Sequence, residues 1–193
     1  MTEDTRLLRH ASEVTGQPVV TLRGEDVAQV RDVVFTPEGS VEGFTLAGRG
    51  LFSGPKKEWL PWSGVHGFGP DAIMIDSAER LVAQEKAQKK AVKGDVTGDE
   101  VLTRSGKVIG QVVDAVLRLE PDGELDVVGY EVEPPDGGDV RFVPLPDTLA
   151  VNEGRLMVPD EALDFISKDL SGFGASVDTF RAMLQGGAGG ASS

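Results

Sequence analysis

The sequence predicts a mainly β protein made of two small antiparallel barrels in tandem, with a connecting helix and short C-terminal helices. Two observations lead to this prediction. The first is an internal repeat, in which residues 24–35 align with residues 106–117 at a constant offset. The second is the composition, because 25 Gly and 11 Pro among 193 residues are typical of tight turns between short elements.

Each copy of the repeat contains the same succession of five short apolar runs. The turn glycines Gly24 and Gly106 precede the longest run, which contains Asp32 or Asp114. A Gly-containing acidic turn then starts a hairpin. Five short strands without a long helix favour a small closed or nearly closed antiparallel barrel. The strands are predicted at 19–22, 27–35, 41–46, 59–62 and 73–75 in the first copy, and at 101–103, 108–119, 127–133, 140–145 and 156–158 in the second.

These elements predict five segments along the chain. Ser77 is a candidate N-cap for a helix between the modules, and the run from Ser176 to Leu184 places Val177 and Phe180 on one helical face. The segments are a first module at 1–76, a helical linker at 77–93, a second module at 94–160, C-terminal helices at 161–185, and a flexible Gly/Ala/Ser tail at 186–193.

The composition argues against several classes of function. The net charge of −13 repels phosphate backbones, which argues against general nucleic-acid binding. The absence of Cys excludes disulfides and thiolate metal sites. No apolar run approaches the ~20 residues of a membrane helix, and the N-terminus lacks the apolar stretch of a secretory signal. We therefore expect a cytoplasmic protein that is not inserted into a membrane.

The charge is distributed unevenly between the two copies. Residues 1–80 carry 8 basic and 12 acidic side chains, whereas residues 94–193 carry 7 basic and 19 acidic ones. If both halves share one fold, their surfaces have diverged toward different partners.

Several of these segments together resemble the PRC-barrel family. They are the turn Glu13-Val14-Thr15-Gly16, the strand that ends in Val30-Arg31-Asp32-Val33-Val34, the loop Arg49-Gly50-Leu51-Phe52, the run Leu60-Pro61-Trp62, and the closing Ile73-Met74-Ile75. The family includes the cytoplasmic domain of the photosynthetic reaction-centre H subunit and the C-terminal domain of the ribosome maturation factor. The resemblance implies a non-catalytic β-barrel that mediates assembly with protein, RNA-containing or membrane-associated machinery. With the second copy, it covers roughly residues 8–160.

The structural repeat motif consists of Gly24 and Asp32 in the first copy and of Gly106 and Asp114 in the second. Its aspartates are the most notable polar residues of the sequence. In a regular strand, Asp32 shares a face with Val30 and Val34. A carboxylate among apolar neighbours needs hydrogen-bond donors. We therefore expect it to accept backbone N–H groups at a tight turn, the alternative being an acid/base or metal site.

A basic and aromatic stretch in the first copy is the candidate partner-binding surface. Arginine and exposed aromatic side chains are typical of binding hot spots. Alternatively, Leu51 and Phe52 cap the barrel while the lysines stay solvated. The candidate residues are Arg49, Leu51, Phe52, Lys56, Lys57, Trp59 and Trp62.

A second basic patch lies in the linker, where four lysines follow helical spacing. This patch is interpreted as a solvated helix face, with peripheral contact to anionic lipid, to RNA or to the acidic second module as alternatives. The lysines are Lys86, Lys89, Lys90 and Lys93.

The sequence predicts no catalytic, cofactor-binding or metal-binding residues. His10 and His66 occupy positions that the repeat does not duplicate, and no nucleophile motif is present. The leading hypothesis is a non-catalytic adaptor or scaffold that binds a protein, with self-association possible. One alternative is an RNA- or ribosome-associated factor. The other is a small-ligand or stress-sensing module with a cleft between the barrels.

Overall fold

The computed structural model describes residues 8–36, 39–50, 53–84, 96–147, 150–152 and 154–187. Within these ranges the chain is mainly β, as predicted, and its sheets are curled. The described residues form two compact units. The N-terminal unit holds residues 11–36 and those between 40 and 84, and the C-terminal unit holds residues 8–10, 39 and those from 96 onward. The first strand, β1 (Leu8–His10), therefore belongs to the C-terminal unit.

The N-terminal unit contains a seven-stranded sheet that follows a short helix, α1 (Ala11–Val14). The strands have the order β6-β7-β2-β3-β4-β5-β8. Their bounds are β2 (Pro18–Thr21), β3 (Asp26–Phe35), β4 (Val41–Ala47), β5 (Pro55–Pro61), β6 (Val65–Phe68), β7 (Ile73–Ile75) and β8 (Val82–Ala83). Single 3₁₀ turns lie at Trp62–Gly64 and Ala78–Arg80.

The C-terminal unit contains a second seven-stranded sheet, in the order β12-β11-β10-β9-β14-β13, with β1 paired to β10. The strands are β9 (Glu100–Thr103), β10 (Val108–Leu119), β11 (Leu125–Glu133), β12 (Arg141–Pro144), β13 (Ala150–Asn152) and β14 (Arg155–Val158). A 3₁₀ helix (Asp160–Phe165) and the helix α2 (Phe173–Gly187) follow.

The two sheets share one pattern of strand pairing, and it is mixed rather than antiparallel. In the N-terminal unit, β2 pairs antiparallel with β3 and parallel with β7. In the C-terminal unit, β9 pairs antiparallel with β10 and parallel with β14. The predicted antiparallel character therefore fails at one pair in each sheet. Pairing direction depends on how distant segments meet, which local periodicity does not record.

The turns that enter the long strands have the same geometry in both units. Gly24 and Gly106 have φ values of 83° and 87°, a conformation that glycine adopts without steric cost. The turn is closed by the backbone N–H of Thr21, which donates to the carbonyl of Glu25 at 2.8 Å. Thr103 and Lys107 make the same bond at 2.9 Å. Both glycines thus have the structural role predicted for the repeat motif.

The long strands also carry β-bulges at equivalent positions. The register of β3 against β4 shifts between Val30 and Asp32, and that of β10 against β11 shifts between Val112 and Asp114. A bulge inserts one residue and reverses the side-chain alternation beyond it. The inserted residues, Arg31 and Val113, are exposed.

One face of the C-terminal sheet is covered by α2. Phe173 and Val177 of this helix pack on Val116, Val128 and Phe142, which come from three neighbouring strands. All five of these side chains are buried. Full burial of a large apolar side chain stabilises the folded state by roughly 1.5–3 kcal/mol.

A buried arginine attaches α2 to β10. The side chain of Arg118 is only 3% exposed, and its guanidinium lies 2.7 Å from Glu120 and 3.0 Å from Asp178 of α2. It also donates to the carbonyl of Gly174 at 3.3 Å. A buried charge is costly unless it is paired. Movement of α2 away from Arg118 would remove two of these partners, so the contacts favour one position of the helix.

Residues 77–84, the described part of the predicted linker helix, do not form an α-helix. Residues 77–84 contain the 3₁₀ turn and the short strand β8, and Ser77 makes no side-chain capping bond. β8 pairs with Glu58 and Trp59 of β5, so strand pairing replaces helix formation here. The four linker lysines lie outside the described residues.

The C-terminal helices are only partly as predicted. The first is a 3₁₀ helix, and the second is longer at both ends than the predicted run from Ser176 to Leu184. Gly186 and Gly187, assigned to the flexible tail, form the last residues of α2, while residues 188–193 lie outside the described part. Val177 and Phe180 are buried as expected, and Met183, one turn further along the helix, is exposed.

Candidate functional site

The loop between β4 and β5 is closed by its own hydrogen bonds. The backbone N–H of Gly48 donates to the carbonyl of Gly54 at 3.1 Å, and that of Ser53 donates to Gly50 at 3.1 Å. The Ser53 hydroxyl donates to the carbonyl of Arg49. Gly50 has a φ of 101°, which glycine adopts readily. The two ends of the loop are thus held together at the end of the hairpin.

Arg49 is anchored at one side of this loop and remains largely exposed. Its guanidinium lies 3.1 Å from the carboxylate of Asp26 and donates to the Asp26 carbonyl at 3.3 Å. The side chain is nevertheless 60% exposed. The ion pair therefore orients the guanidinium and leaves much of it accessible to a partner.

Two lysines continue the positive charge along β5. Ala47 of β4 lies opposite Pro55, so Lys56 and Lys57 follow at the same end of the hairpin as Arg49. Lys57 is exposed and Lys56 is half-buried. The backbone carbonyl of Lys57 accepts the N–H of Gln84 at 2.9 Å, which fixes the strand on its outer side. We call Arg49, Lys56 and Lys57 the cationic loop surface.

The tryptophans that the sequence analysis grouped with these cations belong largely to the core. Trp59 is only 4% exposed and lies over Gly43, where a Cβ atom would come within 2.6 Å of its ring. Trp62 is half-buried and packs edge-on against Phe44 and Phe68, at centroid distances of 6.2 and 5.7 Å. The expectation of exposed aromatic anchors is therefore wrong for Trp59. Leu51 and Phe52 lie outside the described residues.

The repeat aspartates do not face the apolar side chains of their strands as predicted. The bulge turns Asp32 outward, and its side chain is 63% exposed. It accepts the Thr45 hydroxyl at 3.2 Å and lies 3.5 Å from Arg31. Asp114 is half-buried and accepts the backbone N–H of Ala115 at 2.8 Å. Only Asp114 shows the expected backbone acceptor role.

Each histidine lies beside a carboxylate from another segment of the chain. His66 Nδ1 lies 2.9 Å from Asp76, whose other oxygen lies 2.6 Å from Arg80. The Arg80 hydrogen bond, assisted by His66, holds the pKa of Asp76 below its usual value. His10 Nε2 lies 3.1 Å from Glu131. Sequence reasoning missed both pairs, because no local pattern connects a strand residue with a side chain from another segment.

The described residues show neither a cluster of metal ligands nor a helix that could span a membrane. Within them, no group of three or more His, Asp or Glu side chains is placed to hold a metal ion. No helix in the described part of the chain is long and apolar enough to cross a bilayer.

A comparison with known families identifies the N-terminal part of the chain. Residues 8–82 match the family model of the PRC-barrel domain. The chain therefore carries a PRC-barrel domain over these residues, which confirms the predicted resemblance within that range. No curated protein matches the chain.

Proposed function

We propose that the chain is a non-catalytic adaptor made of two PRC-barrel modules, the second formed by residues 94–160. In this proposal a protein partner binds at the cationic loop surface of the N-terminal unit. The observation that carries the proposal is that the two units share turns and bulges while their exposed residues differ. At the equivalent bulge, the N-terminal unit presents Arg31 and the C-terminal unit presents Val113.

The assignment of a second PRC-barrel module rests on pairing geometry. The register shift that accompanies Asp32 in β3 recurs at Asp114 in β10, and both strands show a second shift four residues on. The parallel pair of β2 with β7 recurs as β9 with β14. A β-bulge bends its strand and increases the local twist, so it is a specific feature of a sheet. Its recurrence at equivalent positions favours a duplicated scaffold.

The charge of the cationic loop surface favours an acidic partner. Arg49 and Lys57 are exposed cations, and the net charge of −13 means that anionic proteins are repelled by the chain as a whole and attracted only by such local positive charge. Arginine and lysine at an interface rim contribute to association rate and specificity through complementary charge. We therefore propose an acidic segment of a protein partner as the ligand, and a second copy of this chain is one such partner.

A capture experiment with matched variants tests this proposal. The full chain is immobilised, and partners are identified by mass spectrometry at two salt concentrations. We expect the Lys56→Ala/Lys57→Ala variant to reduce capture of a specific acidic protein about fivefold or more, an effect of about 1 kcal/mol. Higher salt should also weaken capture because it screens exposed charges.

The control is the Arg104→Ala/Lys107→Ala variant, which removes two exposed cations from the C-terminal unit. It should capture the partner normally, and both variants should keep the thermal stability of the unmodified chain. Equal losses in the two variants would show that net charge alone drives capture. Loss of the captured protein after nuclease treatment would instead support the RNA-associated alternative and contradict the adaptor proposal.

A further inference from the structure

β10 is paired with different strands along its two edges. β11 lies along one edge for most of the length of β10. On the other edge, β9 reaches only Val108–Gln111, and β1 pairs with Val116–Arg118 beyond it. β1 runs antiparallel, with Leu8 opposite Arg118, Arg9 opposite Leu117 and His10 opposite Val116. β1 therefore completes an edge that β9 leaves open.

The side chains of β1 are specific to this position. Leu8 packs against the cluster of buried side chains that joins α2 to the sheet, and it approaches Gly174 of the helix. His10 lies 3.1 Å from Glu131 of β11, and its ring lies 5.9 Å from that of Phe142 in β12. β1 thus contacts α2 and two further strands besides β10.

The position of β1 in the sequence conflicts with its position in the fold. The PRC-barrel match begins at residue 8 and so includes β1 in the first domain. Yet among the described residues β1 pairs with β10 and with no strand of the N-terminal sheet. The C-terminal unit thus takes a strand from a segment that precedes the N-terminal unit.

We infer that the β10 edge at Val116–Arg118 is a strand-accepting site, and that residues 8–10 are its intramolecular ligand. The site takes an extended peptide with an apolar side chain at the Leu8 position and a base opposite Glu131. Addition of a strand to an open sheet edge supplies main-chain hydrogen bonds, while pockets for alternate side chains supply specificity. The inference is independent of the adaptor proposal because it concerns the other unit.

Deletion of residues 1–10 from the full chain tests the dependence of the C-terminal unit on β1. Hydrogen–deuterium exchange should accelerate about tenfold or more in residues 116–118 and in α2, because both lose packing partners. Exchange in β2–β7 should stay unchanged, as should the fluorescence of Trp59 and Trp62, which both lie in the N-terminal unit. Acceleration confined to the N-terminal strands would overturn the inference.

A synthetic peptide of residues 1–12 tests the site itself. Added to the deleted chain, it should bind with a stoichiometry of one and restore slow exchange in α2. A peptide with Leu8→Asp should bind at least about tenfold more weakly, since a carboxylate would enter the apolar cluster. If the native peptide does not bind although the deletion loosens α2, β1 acts only as a covalent part of the fold, and the inference is wrong.

Point variants of the full chain keep the test valid if the deletion prevents folding. Leu8→Asp should accelerate exchange in α2, whereas Leu22→Asp should not. Leu22 is a matched control because it is an apolar residue of the N-terminal unit and is 53% exposed. Equal behaviour of the two variants would contradict a specific role for β1.

Discussion

The two units cover an equivalent position of their sheets with different side chains. In each, a glycine at the equivalent position of β4 or β11 lets a neighbour approach the sheet closely. Trp59 of the adjacent strand lies over Gly43, whereas Phe173 of α2 lies over Gly129. The N-terminal unit thus covers this position from within its own sheet, and the C-terminal unit depends on a helix from the end of the chain. The backbone scaffold is shared, but the element that covers it is not.

The largest expected effect comes from removing these covering residues. Phe173→Ala and Trp59→Ala should each lower the free energy of unfolding of their own unit by about 3–5 kcal/mol, because a buried aromatic ring leaves a cavity. Denaturant unfolding followed by hydrogen exchange measures each unit separately. Phe173→Ala should leave exchange in β2–β7 unchanged. Equal loosening of both units by either variant would contradict the separation of the two coverings.

The two long strands should differ, by a smaller amount, in the stability lost on substitution of Gly110 in β10 and of its counterpart Ala28 in β3. Gly110 has a φ of 155°, and a Cβ atom there would clash with the backbone carbonyl of Glu133. Gly110→Ala should therefore cost about 2–3 kcal/mol through strain and overpacking. Ala28→Gly should cost about 1 kcal/mol, the usual penalty of backbone entropy and lost packing. Thermal denaturation measures the stability of both variants. An unchanged melting temperature for Gly110→Ala would contradict the expected strain and show that β10 accepts alanine at this position as β3 does.

The smallest expected difference concerns the repeat aspartates. Asp32→Ala should change stability by less than about 0.5 kcal/mol, because its side chain is 63% exposed. Asp114→Ala should cost about 1 kcal/mol, since Asp114 is half-buried and accepts the Ala115 N–H at 2.8 Å. Melting temperatures of the two variants test this order. A larger loss for Asp32→Ala would indicate that Asp32 has a role beyond its contacts with Thr45 and Arg31.

Much of the strand content was predictable, because it depends on local patterns. All ten predicted strands are present, with ends that differ by a few residues. The turn glycines were predictable because a positive φ is required at those positions. Strands β1, β6, β8 and β13 were missed because they are short and carry weak apolar alternation.

The candidate surface was only partly predictable. Charge and loop position correctly located exposed Arg49 and Lys57. The burial of Trp59 could not be read from the sequence, because its ring lies over Gly43, a diagonal neighbour on β4 and not a neighbour in the chain. The exposure of Asp32 was also misjudged, since one inserted residue reverses the alternation that a regular strand would have.

The sequence by itself determined the repeated order of strands and turns and the uneven charge of the two halves. These properties are local or compositional, so each short segment records them. Only the tertiary structure decided that β1 pairs with β10, that β2 and β9 each acquire a parallel neighbour, and that α2 covers one sheet. Such choices arise because strand edges and apolar faces are satisfied by whichever distant segment reaches them, and the packing of the whole unit selects that segment.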